Sequence, residues 1–420
     1  MIEKQIFAAV EIADHEVRLV VGEFFNTRFN IIKVERVPVY GLDYNGITDT
    51  KAVTDAIKRA SADAAKMIGA PVKKVILAMP SFGMKRYALK SPVKIKGLDG
   101  EITIADIRRA IKQAESVNIG KNLALIQTVC VKYTINGIST RRIPIGEKAD
   151  ELTVDVDLLC TDRKFAFDAV SCVEAAGLQV MDIYLDVFAV AKEAALFEQA
   201  VDQNVIILKT ERLSTTLGLL SKGRLTTCLV EPEGVGTMAA PIVDKYGLKS
   251  DMAVELLKYS ARLNEKIYST NPVHIWSENN ETRKLTEQEL CEAVMPSVEK
   301  WLEDMAILCR PILQAGHATV IITGEGGEMQ GLNELFQKKC GCEARNYIPE
   351  TLGGRNAGLT AALGLFYAYK DKLPISGFND NSLDMDAFIK AVSFRDKNKS
   401  GGKEDTLTNK LKGILFDGKK

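Results

Sequence analysis

Eight cysteines and three histidines are the residues best suited to metal or redox chemistry in this sequence, and their spacing argues against both. Cys340 and Cys342 form the one close pair. A single spacer fits neither a redox dithiol nor a zinc knuckle. His15, His274 and His317 stand far apart, none in a ligand spacing. Scattered thiols, several of them in apolar stretches, read as ordinary side chains of a reducing cytoplasm.

The C-terminal end offers a different chemistry. Leu407, Leu411, Ile414 and Leu415 fall at i, i+4, i+7 and i+8, one stripe of a helix, with Phe416 beside them. Lys410 and Lys412 flank the stripe, Lys419 and Lys420 follow it, and Asp405 or Thr406 can cap its start. Residues 371–404 before it carry Pro374, Ser376-Gly377, Asn379-Asp380-Asn381 and Ser400-Gly401-Gly402, which is linker composition. A short amphipathic helix over 405–420 can dock on the protein's own core or lie in a membrane interface, and the flexible tether favours the second, against an anionic surface. Burial of one such side chain contributes roughly 1.5–3 kcal/mol when complete, and each lysine near anionic lipid about 1 kcal/mol. One tail therefore holds weakly, and several on one polymer hold well.

These segments need a scaffold, and 420 residues predict more than one domain. Fifty-five basic residues balance fifty-five acidic ones, which argues against a nucleic-acid partner. The start of the chain runs straight into a strand pattern and does not read as a secretory signal. No run of about 18 apolar residues predicts a membrane-spanning helix. Residues 5–40 predict three strands, followed by a helix over 50–68 that ends at Gly69-Ala70-Pro71 and a buried strand over 72–79. Residues 81–162 have their own α+β character, with a helix whose Ile104, Ile107, Ile111 and Ala114 share one face. From residue 204 three short strands recur, which suggests an internal duplication. Helices dominate 237–315, with 250–266 as one and 285–315 as another. A strand over 318–323 then leads into Gly324-Glu325-Gly326-Gly327.

Duplicated meanders, an inserted α+β module, a late glycine-rich loop and a tethered amphipathic tail together resemble the bacterial actin-like FtsA family. The inserted segment 101–111 is similar to that family's distinctive subdomain, and Val21-Gly22-Glu23 and Gly223-Arg224-Leu225 fall where the family places such residues. The resemblance implies an α/β class: a duplicated actin-like (ribonuclease-H-like) fold with an inserted SHS2-type α+β subdomain. Its expected domains are 1–80 with 163–200 (1A), 81–162 (1C), 201–235 with 318–370 (2A), 236–317 (2B, helical), a flexible linker over 371–404 and the membrane helix over 405–420. It also implies the partners: the tail of the tubulin homologue FtsZ bound around 245–320, other division proteins, further copies of itself and the cytoplasmic face of the membrane at the division site.

The family's nucleotide site is carried over in part. Gly324, Gly326 and Gly327 lie in a loop similar to its T-G-G-G-A loop, where small residues let backbone approach the nucleotide, and Glu325 replaces one glycine. Glu255 and Lys258 match a helical E-x-x-K pair on the adenosine side. The phosphate loops depart from the family. Glu11, Ala13 and Asp14 stand where the first loop reads approximately D-I-G-T, and Lys209, Glu211 and Arg212 open the second where D-I-G-G-G-T-T-D is expected. The glycines that expose N–H groups to phosphate are gone, and so are the carboxylates that hold magnesium through water. The resemblance thus implies weak ATP binding at most, no metal site and no catalytic residue: a scaffold with lost or weakened hydrolysis. In the family fold Glu11 and Lys209 occupy the two positions that face one metal, which leaves two readings: a salt bridge in place of the ion, or independent drift with both side chains finding water. The alternatives are a working actin-like ATPase and the actin-like component of type IV pilus assembly.

Overall fold

The computed structural model describes residues 5–391 apart from 26, 27, 45, 98, 279, 378 and 379. The amphipathic helix expected over 405–420 lies outside the described residues. The chain opens with an antiparallel meander, β1 (Gln5–Ile12), β2 (Glu16–Phe25) and β3 (Arg28–Pro38). A short hairpin, β4 (Leu42–Asp43) and β5 (Gly46–Ile47), leads to α1 (Thr50–Ile68). Asp49 caps α1 by accepting from the Ala52 N–H, and Gly69 ends it in the left-handed region. β6 (Lys74–Met79) then pairs in parallel with β1.

The chain now leaves this sheet for the insert: β7 (Lys85–Lys94), α2 (Ile104–Glu115), β8 (Leu123–Ile135), β9 (Ile138–Thr140) and β10 (Glu151–Asp162). Its sheet runs β7-β10-β8-β9. Strict alternation in β10 sends Val154, Val156, Leu158 and Cys160 to the face that packs on Ile107, Ala110 and Ala114 of α2. A Thr103–Asp106 capping box starts that helix. Asp155 and Asp157 consequently point the other way.

α3 (Arg163–Ala175) and β11 (Gln179–Leu185) return to the first sheet and complete its order β11-β6-β1-β2-β3. After α4 (Asp186–Glu193) and α5 (Leu196–Gln199) the pattern repeats with β12 (Asn204–Thr210), β13 (Thr215–Ser221) and β14 (Arg224–Glu231). The helical part follows: α6 (Val235–Tyr246), α7 (Ser250–Tyr259), a hairpin β15 (Pro272–Glu278) and β16 (Glu281–Thr286), and α8 (Glu287–Ala315). β17 (Ala318–Thr323), α9 (Leu332–Cys340), β18 (Glu343–Asn346) and α10 (Thr360–Ser376) finish the second half. The second sheet runs β14-β13-β12-β17-β18. β12, β17 and β18 therefore repeat the roles of β1, β6 and β11. The duplication places Glu11 and Lys209 at the same point, one residue before the end of equivalent strands.

α4 and α10 join the halves, contributing to a core that contains residues of both sheets. Their backbones touch at Gly364, where a Cβ would lie 1.8 Å from the Ala189 carbonyl oxygen. Only glycine permits that crossing.

Three expectations need correction. The part expected to be all helical contains the β15–β16 hairpin, and α7 stops at Tyr259 rather than continuing to 266. Beyond it Leu263 is buried and its N–H donates to the Gln330 carbonyl, so the chain is drawn into a packed loop. The tether does not begin at 371. α10 continues to Ser376, and residues 380–391 dock on the first sheet. There Asn381 Oδ1 accepts from the Ile6 N–H (2.7 Å), Ser382 Oγ accepts from the Ala8 N–H (2.8 Å), and Lys73 and Lys74 pair with Asp384 and Asp380. Backbone donors of β1 left free where β6 has not yet joined find their partners here, more than 370 residues away.

Candidate functional site

The ends of β1 and β12 face each other across the cleft between the halves. Glu11, Arg18, Lys209 and Glu211 are all buried there. Lys209 Nζ lies 2.8 Å from Glu11 Oε1, 2.8 Å from Asp186 Oδ2 and 3.3 Å from Glu211 Oε1. Of the two readings, the bridge between Glu11 and Lys209 is present, with two further carboxylates around the same amine. Glu11 meets Lys209 and, at 3.3 Å, Arg18 Nη1 outside hydrogen-bonding angles, so its pairing is Coulombic. The sharper contact is Lys209 to Asp186, which is also a hydrogen bond.

Arg18 completes this cluster from β2. It donates through Nη1 and Nη2 to both oxygens of Glu211 (2.9 and 2.6 Å) and through Nε to Glu16 (2.6 Å). The fork geometry is the strong form of this interaction. Burial by itself would lower the Lys209 and Arg18 pKa values. The carboxylates outweigh it: Asp186, Glu11 and Glu211 hold Lys209 well above the usual lysine range, and Glu211, Glu11 and Glu16 do the same for Arg18. Burial likewise opposes ionisation of Glu211 and Glu16. Arg18 and then Lys209 bring Glu211 down to about 2, and Arg18 with Arg36 brings Glu16 to about 2. Lys209, Arg18, Glu211 and Glu16 therefore stay charged at neutral pH.

The adenosine side is filled in the same way. Arg212 grips Glu325 through Nε (2.7 Å) and Nη2 (3.0 Å) while Nη1 reaches Asp251 (2.8 Å). Lys258, buried, lies 3.1 Å from Glu325 and 2.7 Å from Glu255. Despite burial, the hydrogen bonds from Arg212 and the charges of His15 and Lys258 hold the Glu325 carboxyl below the usual carboxylate range. The glycines serve the same closure. A Cβ on Gly324, whose φ is 72°, would come within 2.6 Å of the Thr210 carbonyl oxygen, and one on Gly326 within 2.7 Å of Thr210 Cβ. The loop has approached the end of β12, not left a space beside it.

The first loop crosses the cleft as well. Ala13 is buried in the turn, its N–H donating to the Glu16 carbonyl. Asp14 Oδ2 accepts from the Leu213 N–H (2.9 Å) and Ser214 Oγ (2.8 Å) of the other half. His15 Nδ1 meets Asp14 at 2.9 Å, and its Nε2 stands 3.6 Å from both Glu16 and Glu325.

The fold could hold a nucleotide and its metal in such a cleft, and these residues do not fit them. The amides of Leu213, Val235 and Gly236 around the second loop are taken by Asp14, the Glu211 carbonyl and the Arg212 carbonyl. Asp14, His15 and Glu211 bring three metal-ligating atoms within 4.8 Å of one another. Each carboxylate of that trio is already engaged, and Arg18 and Lys209 supply the positive charge. The ion pairs occupy the chemical role of the cation.

All the cleft residues expected from the sequence come together: Glu11, Ala13, Asp14, Lys209, Glu211, Arg212, Glu255, Lys258 and the three glycines. Arg18, Asp186 and Glu16 were not anticipated as members. A lone arginine inside the apolar run 17–21 was the available signal, since arginine is almost never fully buried unless paired. Asp186, directly after an apolar strand and at the first turn of a helix, was a weaker one.

The comparisons agree with the fold. The family model for the SHS2 domain inserted in FtsA matches residues 84–160, the insert itself. The FtsA of Bacillus subtilis (strain 168) is 23% identical over 375 residues, 87% of this chain and 83% of that protein. The FtsA of Neisseria meningitidis serogroup B is 23% identical over 380 residues, 87% and 90% of the two chains. Among solved structures, the PilM-PilN type IV pilus biogenesis complex gives a TM-score of 0.57 at 14% identity, covering 86% of this chain and 97% of that one. MreB5 of Spiroplasma citri bound to ADP gives 0.50 at 13%, covering 89% and 99%. The structural likenesses establish the actin-like fold, and the inserted domain together with the sequence relatives makes this chain similar to the FtsA cell-division proteins.

Proposed function

We propose that this protein is an actin-like cell-division scaffold that tethers FtsZ polymers to the membrane and works without ATP turnover. The single observation that carries the loss of turnover is Lys209, whose amine lies 2.8 Å from both Glu11 and Asp186 where a metal–phosphate group would stand. Ion pairs formed by Lys209 and Arg18, with the hydrogen bonds that Asp14 accepts from Leu213 and Ser214, hold the two halves together across the cleft, and a nucleotide would have to break several of them to enter. The division role rests on the relatives, and the tether on the amphipathic stripe of Leu407, Leu411, Ile414, Leu415 and Phe416 with its flanking lysines.

In this reading the FtsZ tail docks on the second half around 245–320, the inserted module meets other division proteins, and self-association multiplies weak tails into firm attachment. Sedimentation with anionic vesicles tests the tether. The full chain is expected to pellet with vesicles, and the chain ending at residue 404 to remain in the supernatant at low salt. Equal pelleting of the two would place the membrane contact elsewhere and overturn this assignment.

A further inference from the structure

We propose a ligand site, for a soluble compound carrying a diphosphate group, between the inserted domain and the β13–β14 hairpin of the second half. A cavity of about 560 Å³ opens there. Its ionisable lining is entirely cationic: Arg86 of β7, Lys132 of β8, Arg141 beyond β9, Lys222 in the hairpin turn and Arg224 of β14, with the Ser221 hydroxyl beside them. In a chain whose charges balance overall, five cations around one cavity are not a compositional accident.

Two carboxylates stand behind this wall. Asp157 pairs with Arg86 (3.3 Å) and Arg224 (3.1 Å), and Asp155 with Arg224 (3.3 Å) and Lys132 (3.6 Å). They fix three of the cations from below and leave Arg141 and Lys222 without an ion pair among the described residues. Arg141 is the informative one. Its guanidinium lies over Gly223, so close that a Cβ on that glycine would fall 2.5 Å from Nη2. It is thus held between Lys222 and Arg224, a cation between cations. Arg141 and Lys222 are both exposed at the mouth of the cavity, where a multiply charged anion would offset the repulsion among the three cations.

The chemistry of these groups narrows the ligand class. Arginine forks match the oxygens of phosphate or carboxylate in a bidentate way, and lysine adds a point charge. A net excess of three cations over the two carboxylates suits an anion of about that charge, which a diphosphate supplies and a single carboxylate does not. The inserted domain supplies three of the five cations and the second half two. The ligand would therefore bridge them, at a place distinct from the ion-paired cleft.

Calorimetric titration of the full chain with inorganic pyrophosphate at low salt tests the proposal, with acetate as the monoanion control. Saturable one-to-one binding of pyrophosphate alone is expected. Arg141→Glu and Lys222→Glu should each weaken it at least tenfold, and Arg141→Ala should do so by a smaller factor if a charge reversal disturbs folding. Gly223→Ala, which removes no charge but evicts the guanidinium, should weaken it several-fold. Arg36→Ala, at the edge of the cleft, should leave it unchanged. Absence of saturable binding up to millimolar pyrophosphate, parental affinity in both Arg141 variants, or loss of binding in Arg36→Ala would each overturn the proposal.

Discussion

Lys209→Met is expected to lower the melting temperature by on the order of 10 °C. The substitution keeps an unbranched side chain, one atom shorter, and removes the charge that Glu11, Asp186 and Glu211 share at 2.8, 2.8 and 3.3 Å. Breaking a buried pair by deleting one partner typically costs about 3–5 kcal/mol, because the remaining charge is left in a poor solvent. For one half of the chain unfolding as a unit of about 200 residues, each kcal/mol moves the midpoint by roughly 2–4 °C. Adding Glu11→Gln should recover part of the loss, since one of the stranded carboxylates disappears with it. Lys164→Ala, which removes an exposed partner of Asp168, is the control, and should shift the midpoint by about a degree or less. Differential scanning calorimetry reads all three. A Lys209→Met midpoint within about 2 °C of the parent would show that the cluster does not hold the halves together.

Acid should open the cleft before it unfolds the rest. The folded-state pKa of Glu16 and of Glu211 is about 2, against an ordinary 4.5. A carboxyl with a depressed pKa contributes stability that is complete above its unfolded value and is lost as pH falls through the folded one. Stability from these two groups is therefore intact above pH 4.5 and declines toward pH 2. The expected loss is several kcal/mol when both protonate, because each depressed unit corresponds to about 1.4 kcal/mol. Added salt should restore little of it, as buried pairs are weakly screened. A pair of fluorophores on the two halves should separate across this window while far-UV dichroism persists. A Glu211→Gln protein with the same acid profile as the parent would contradict the assignment.

How far the sequence could be read depended on the range of the interactions involved. The duplicated meanders were legible because each strand is a short apolar run closed by turn residues, and the insert because its strands alternate and its helix has one apolar face. The Glu11–Lys209 pairing was half legible: the family resemblance put both residues at positions that face one metal, and the choice between a bridge and drift into water needed the packed cleft. Arg18 and Asp186 were not, because nothing local distinguishes a buried, multiply paired arginine from one at a strand edge. The same limit applies at the C-terminal side. Pro374, Ser376 and Gly377 have the composition of a tether, yet α10 continues to Ser376. Asn381 and Ser382 then complete the hydrogen bonds of β1, a partnership over 374 or 375 residues that no window of sequence reports. The β15–β16 hairpin was missed because its strands are largely exposed and of mixed polarity, with Val273, Trp276 and Leu285 packing inward but no regular alternation along them.

The most direct test is equilibrium binding of a fluorescent ATP analogue to the chain ending at residue 404, with and without magnesium. A cleft whose charges are satisfied by Lys209, Arg18, Arg212 and Lys258 predicts no saturable binding up to about 1 mM, which corresponds to roughly −4 kcal/mol, and no effect of the metal. Tight binding that depends on magnesium would contradict the account, since it requires the ion pairs between the halves to part and the two loops to form a phosphate site.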